Sequence, residues 1–297
     1  MSPFILKHLR CRSVYYCAQP SRLEENTLTR LSLQSSSSRT SSPLRHARKV
    51  WSSYLRKNLP RIDRENASWS KCILTNSAFT RETITRAYGM DSGVSHLGID
   101  PDIFRPLRLP RENYVISVGS MGPSKGYDFL VNSLGLVDAR IRPRLVIVSN
   151  AGNARYSEWI AALAKEKGVV LEEKRLVSDE ALVELYNRAA LFVYTPYAEP
   201  FGLAAIEAMA CGTPVVAVAE GGVRESVVHE KTGLQTPRDE RSYARAIELL
   251  LRDRDLQEVL SQGALASVQS YWNVQQAGER LLQHVQTAMA ADSFSRS

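Results

Sequence analysis

From Asn113 onward the chain is punctuated by short, unbroken apolar runs: Tyr114–Val118, Leu145–Ser149, Val169–Leu171, Leu191–Tyr194 and Val215–Val218. A strand with one wet face alternates apolar and polar residues, whereas an unbroken run must be covered on both faces. That requirement selects a parallel sheet sandwiched by helices. Helical stretches stand where the crossovers belong, near Tyr127–Val137, Ser157–Lys167, Asp179–Ala189 and Leu203–Ala210. Longer helices follow near Glu240–Arg252, Leu256–Ser270 and Val274–Ala290. The expected class is α/β, and in open sheets of this kind ligands gather outside the carboxyl ends of the strands.

The stretch Tyr194–Val228 places chemistry at such an end. Strand Leu191–Tyr194 enters a loop containing Glu199-Pro200-Phe201-Gly202, and a helix rich in alanine follows before the next strand. Pro200 keeps Glu199 out of the helical region, so the helix should begin close to Gly202. Its first turn, with Gly202, Leu203 and Ala204, offers unpaired N–H groups and the positive end of the helix dipole to an anion. Glu199 stays in the loop while Glu207 lies about a turn inside the helix; two carboxylates near an anion site suit sugar hydroxyls better than phosphate. After strand Tyr114–Val118, the loop Gly119-Ser120-Met121-Gly122-Pro123-Ser124 leads to Lys125, an ammonium suited to a diphosphate leaving group.

These segments resemble a known family. Glu199 and Glu207, eight positions apart, match the Glu-x7-Glu signature of retaining glycosyltransferases of GT-B fold, in particular glycosyltransferase family 4 (group 1). VISVGSMGPSKG (Val115–Gly126) resembles the strand and phosphate loop that open the family's C-terminal domain, and Ile73–Pro106 resembles the passage closing its N-terminal domain. The resemblance covers about residues 71–290. It implies one complete Rossmann-like C-terminal domain that binds the nucleotide-sugar donor, at about 107–272. Residues 1–106 would form an incomplete N-terminal Rossmann-like domain, truncated on the acceptor side, and 273–297 a crossover helix and tail.

The resemblance also implies roles. Glu199 and Lys125 would be catalytic, Lys125 at the leaving diphosphate and Glu199 at the transferred sugar. Gly119, Ser120, Leu176, Val177, Phe201, Gly202, Leu203 and Glu207 would line the donor site, with Leu176 and Val177 at the base and Glu207 at the ribose. The implied reaction moves a sugar from a nucleoside diphosphate to an alcohol acceptor, a polysaccharide or a lipid-linked glycan, with retention and with no cofactor or metal required. The pattern departs at Ser120, where the family commonly has Arg. Residues 1–20 also contain no glycine, so the family's opening glycine-rich strand–turn–helix is missing. A truncated, non-catalytic protein binding a nucleotide or a partner is the alternative, as is another chain completing the first domain.

Charge is uneven. Residues 1–70 carry 13 Lys/Arg against 4 Asp/Glu, a net +9, leaving −2 for the rest. The basic pI therefore belongs to the front segment and does not point to nucleic acid. It suits peripheral contact with an anionic membrane. Within the front, residues 33–43 are serine-rich and read as a disordered linker, Val50–Lys57 and Ile62–Trp69 read as helices, and Val14–Glu25 resembles a mid-domain strand and loop. An arginine- and serine-rich front also marks organelle transit peptides, although Glu24 and Glu25 interrupt that pattern. No apolar run nears the roughly 20 residues of a membrane span. The cysteines Cys11, Cys17, Cys72 and Cys211 lack metal-ligand pairing, so a cytoplasmic, reduced setting is expected. Asp100-Pro101-Asp102 and Asp253-Arg254-Asp255 are expected to be structural, since neither follows a buried strand as a metal-held diphosphate would require.

Overall fold

The computed structural model describes residues 6–8, 11, 13–20, 58 and 61–290. The serine-rich 33–43 stretch and the helix expected at Val50–Lys57 lie outside them. The chain divides into two compact units, one within Met1–His96 and Glu279–Ser297, the other Leu97–Gly278. Helix Val274–Ala290 begins in the second and, from Glu279, contributes to the first.

Among the described residues, the first unit holds three parallel strands in the order β1 (Val14–Tyr16), β2 (Cys72–Thr75), β3 (Gly93–Val94). β1 is the strand expected within Val14–Glu25. The helix expected at Ile62–Trp69 spans residues 61–67. Between β2 and β3 runs helix α1 (Ala78–Tyr88). The Ser77 hydroxyl starts it by accepting from the Thr80 N–H, and Gly89, left-handed at φ 66°, ends it.

The second unit is a six-stranded, all-parallel sheet in the order β6 (Leu171–Arg175), β5 (Arg144–Ser149), β4 (Glu112–Val118), β7 (Ala189–Tyr194), β8 (Val215–Val218), β9 (Leu234–Thr236). Counted from β4, that is the 3-2-1-4-5-6 arrangement of a dinucleotide-binding sheet, and strand order reverses between β4 and β7. Successive residues divide between two cores. Val115, Leu145, Ile147, Leu191, Val193 and Val216 pack on one face against helices α2 (Tyr127–Leu136), α3 (Ala154–Glu166) and α7 (Glu240–Arg252). Ile116, Val146, Phe192, Val215 and Ala217 pack on the other, against α4 (Asp179–Arg188), α5 (Leu203–Ala210) and α8 (Arg254–Ser270). A short helix, α6 (Val223–Ser226), precedes β9.

One expectation needs correction, and one strand went unread. The strand placed at Val169–Leu171 lies two residues later and is mostly charged, with Glu172, Glu173, Lys174 and Arg175 half-buried or exposed. As an edge strand, paired only to β5, β6 is not pressed to be apolar on both faces. Strand β9 was too short and mixed to be read at all. Both sit at sheet edges, where the apolar-run criterion fails.

One buried hydroxyl joins the central strands. Tyr243 Oη accepts from the Tyr194 N–H (3.0 Å) and donates to the Val216 carbonyl (2.8 Å). Tyr243→Phe strands a donor and an acceptor in a dry core, each costing ~1–3 kcal/mol. A loss of about 2–4 kcal/mol is expected, read as a lower urea midpoint at unchanged m.

Candidate active site

Two loops leave the carboxyl ends of the neighbouring strands β4 and β7, where strand order reverses. The first runs from Gly119 through a single 3₁₀ turn, Pro123–Lys125, to Gly126, left-handed at φ 67°. The second runs from Thr195 to Phe201, and Gly202, at φ 99°, opens α5. Hydrogen bonds stitch the loops together: the Tyr197 N–H donates to the Ser124 carbonyl (2.8 Å), and the Thr195 hydroxyl to the Lys125 carbonyl (3.0 Å). The outcome is one ion pair. Lys125 Nζ donates to Glu199 Oε2 at 2.7 Å, with the two side chains 18% and 29% exposed. Lys125's stem crosses Gly119, within 3.2 Å of where a β-carbon would stand, and the Gly119 carbonyl accepts from Tyr127 Oη at 3.1 Å.

Glu199 is held through its backbone as well, its carbonyl accepting from the Gly222 N–H (2.9 Å). Glu207, on α5, accepts from Tyr186 Oη at 2.8 Å. Burial raises the Glu207 carboxyl above its ordinary 4.5, opposed by the Tyr186 hydrogen bond and reinforced by the Asp179 charge. Tyr194 lies beside the start of the same helix. Its hydroxyl is 3.0 Å from where a β-carbon on Gly202 would lie. Its phenol is pushed well above the usual range by burial, then by the charge of Glu199 and by Tyr127 and Glu207. Both acids therefore lie within electrostatic reach of one phenol at the helix start.

The remaining expected residues differ in what they offer. Ser120 is exposed in the first loop. Leu203, in the first turn of α5, is 38% exposed. Leu176 is 78% exposed and left-handed at φ 50°, whereas Val177 packs partly into the second core. Phe201 is a core residue, 4% exposed with its ring 5.8 Å from Trp272, so its backbone is what it gives the loop. Asp100 Oδ1 accepts from the Asp102 N–H in a tight turn, and Asp253 caps α8 by accepting from the Leu256 N–H. His229 Nδ1 accepts from the Gln235 N–H. The first unit has its own hollow of about 460 Å³, lined by Lys71, Asp91 and Ser92 among others, and it contains none of the expected donor residues.

Sequence reading missed Tyr186, Tyr194, Glu220 and Arg238. Arg238 follows β9, the strand that was not foreseen, and its guanidinium reaches back to the Thr195 and Pro196 carbonyls (2.9 and 2.8 Å). Tyr186 could have been suspected, as a tyrosine in the last turn of a helix that leads straight into the buried strand β7.

Among the described residues no helix is long and apolar enough to cross a membrane. Comparison with known proteins gives a consistent picture. The chain is 32% identical over 219 residues to a D-inositol 3-phosphate glycosyltransferase of Stackebrandtia nassauensis, covering 66% of this chain and 49% of that protein. It thus spans about half the length of the curated relatives it matches. Sucrose-phosphate synthase from Thermosynechococcus elongatus superposes with a TM-score of 0.70 at 26% identity, over 79% of this chain and 62% of that one. Anabaena HepE, solved in complex with UDP-glucose, superposes equally well (TM-score 0.70) at 21% identity, over 77% and 67%. The shared fold is α/β with parallel sheets, of the GT-B glycosyltransferase type. The family model described as glycosyl transferases group 1 matches residues 99–266, more than half of the chain and all of the Lys125, Glu199 and Glu207 geometry. This chain belongs to the group 1 glycosyl transferases.

Proposed function

We propose that the second unit binds a nucleoside-diphosphate sugar and that the protein transfers the sugar, with retention, to an alcohol on a glycan or lipid-linked acceptor. The observation that carries this reading is the Lys125–Glu199 pair at the switch point, beside the opening of α5. A diphosphate is the better partner for an ammonium and for free helix amides. Its arrival would take Lys125 from Glu199 and free the carboxylate for the sugar hydroxyls. Glu207, steadied by Tyr186, would accept from the ribose hydroxyls.

In the transfer step the bond from the anomeric carbon to the diphosphate oxygen breaks, and the acceptor oxygen bonds to that carbon on the same face. The acceptor's proton passes to the departing phosphate. Negative charge grows on the diphosphate, where Lys125 and the first amides of α5 would meet it. A well-placed group of this kind contributes on the order of 2–4 kcal/mol to the barrier. Charge is met here by protein groups, so the reading requires no metal, and turnover should survive EDTA. The basic front segment fits a cytoplasmic enzyme working against an anionic membrane surface.

UDP is the natural first probe, since a protein of the same fold was solved with UDP-glucose. UDP, GDP and ADP are titrated into the full chain by calorimetry, and sugar release from the matching donors is followed with simple alcohols as acceptors. One nucleotide should bind, and Lys125→Ala and Glu199→Ala should each lower turnover by roughly 30- to 1000-fold. Binding without turnover favours a nucleotide-binding protein instead. Unchanged turnover in both variants removes the assignment.

A further inference from the structure

The loop carrying Glu199 is fastened by a group that lies 39 positions further along the chain. Arg238 places its guanidinium edge-on to Glu220 in a two-bond fork, Nε to Oε1 at 2.9 Å and Nη2 to Oε2 at 2.8 Å. The same plane donates from Nη1 to the Thr195 carbonyl (2.9 Å) and from Nη2 to the Pro196 carbonyl (2.8 Å). Its faces are filled too: the guanidinium carbon is 3.8 Å from the Tyr197 ring centroid and 5.2 Å from that of Phe129. The side chain is half-buried by these partners. Its own backbone is fixed on both sides, by β9 ending at Thr236 and by Asp239, whose carboxylate caps α7 through the Ser242 N–H at 2.7 Å.

Each residue from Thr195 to Tyr197 thus touches one guanidinium, and Glu199 follows two positions later. Thr195 and Tyr197 are also the residues that tie this loop to the Lys125 loop. We propose that Arg238, oriented by Glu220, is the positioning residue that holds the Glu199 loop beside the Lys125 loop, so that Glu199 stands at the sugar and Lys125 at the diphosphate in the transfer step. The proposal rests on the donor-site reading above but has a structural half that can be read without it. Only a planar fork can serve a carboxylate and two carbonyls together while stacking on a ring; a lysine ammonium supplies the charge without the plane. The nucleotide's base and ribose are assigned elsewhere, to Leu176, Val177 and Glu207. Arg238 should therefore govern kcat more than nucleotide affinity.

Arg238→Lys is the main variant, with Glu220→Gln as a gentler one should the first fold poorly. Deuterium uptake is measured on peptides spanning 195–202 and, for reference, on β8. In Arg238→Lys the loop peptides should exchange at least about tenfold faster, with β8 unchanged. Under the same conditions kcat should fall roughly tenfold and UDP affinity stay within about threefold. Glu220→Gln should show the same pattern, smaller. Wild-type exchange and wild-type kcat in Arg238→Lys would overturn the proposal, since charge alone would then suffice. Equal losses of kcat and UDP affinity, with β8 opening as well, would also overturn it by showing a general structural role. If the wild-type chain turns over no donor while loop exchange still responds to Arg238→Lys, the donor reading fails and Arg238's hold on the loop stands.

Discussion

Replacing Gly126 with alanine should unfasten the site and destabilise the second unit by about 3 kcal/mol or more. Two costs meet there. Gly126 is left-handed at φ 67°, a conformation that costs an L-residue roughly 1 kcal/mol. A β-carbon would also stand 2.3 Å from the Thr195 carbonyl oxygen and 3.2 Å from Arg238 Nη1. Neither can step aside cheaply. The carbonyl belongs to the backbone and already accepts from Arg238, which is itself committed to Glu220 and Pro196. The response left to the chain is to part the Lys125 loop from the Glu199 loop, which breaks the ion pair and the Thr195–Lys125 and Tyr197–Ser124 bonds. Turnover should fall below detection even at temperatures where the variant remains folded. Gly89 supplies the control. It has nearly the same φ, 66°, but its β-carbon would meet only Arg64 Nη2 at 3.8 Å. Gly89→Ala should cost only the conformational penalty, about 1 kcal/mol, with no effect on turnover. Urea denaturation of both variants at constant m, beside the donor assay, separates strain from collision.

The contrast shows what a sequence conveys and where it stops. Central strands were legible because burial on both faces leaves an unbroken apolar signature, as in Ala189–Tyr194 and Val215–Val218. The start of α5 was legible because Pro200 fixes its own backbone and keeps Glu199 out of the helical region. Lys125 and Glu199 were legible as separate candidates, each at the mouth of an apolar strand. Their direct pairing was not, because it depends on the register that sets β4 beside β7 and on a collision-free approach of two loops about 70 residues apart. Arg238 was hidden for a similar reason. It follows an edge strand with no apolar signature, and its hold on the Glu199 loop is through two backbone carbonyls, which every residue carries. Phe201 looked like a pocket residue by its place in the motif, yet its ring answers to Trp272 and the core.

Glu207 offers the sharpest separation of stability from function, because its fold would be better served by a neutral residue. Burial lifts its pKa above the unfolded 4.5, despite the hydrogen bond from Tyr186. Between those two values the folded state binds more protons than the unfolded one, so stability declines as pH rises through the raised pKa. The contribution of the neutral acid is fully present below pH 4.5 and is lost as the pH rises through the raised value, above which the buried carboxylate is a net cost. Glu207→Gln keeps the shape and an oxygen to accept from Tyr186 but never ionises. The variant should therefore be at least as stable as wild type above the raised pKa, and that advantage should shrink as the pH falls through the raised value towards 4.5. Function should move the other way. A carboxylate can accept from both ribose hydroxyls, whereas an amide presents an N–H₂ to one of them. Losing a charge-assisted bond and opposing a donor with a donor should lower kcat/KM for the donor by about 10²- to 10³-fold. The ratio of wild-type to variant nucleotide affinity should fall as Glu207 is protonated, and taking the ratio cancels titration of the nucleotide's own phosphates. A Glu207→Gln variant that is less stable above the raised pKa, or that binds the nucleotide as wild type does, would mean that this acid is kept for Tyr186 and the core rather than for a ligand.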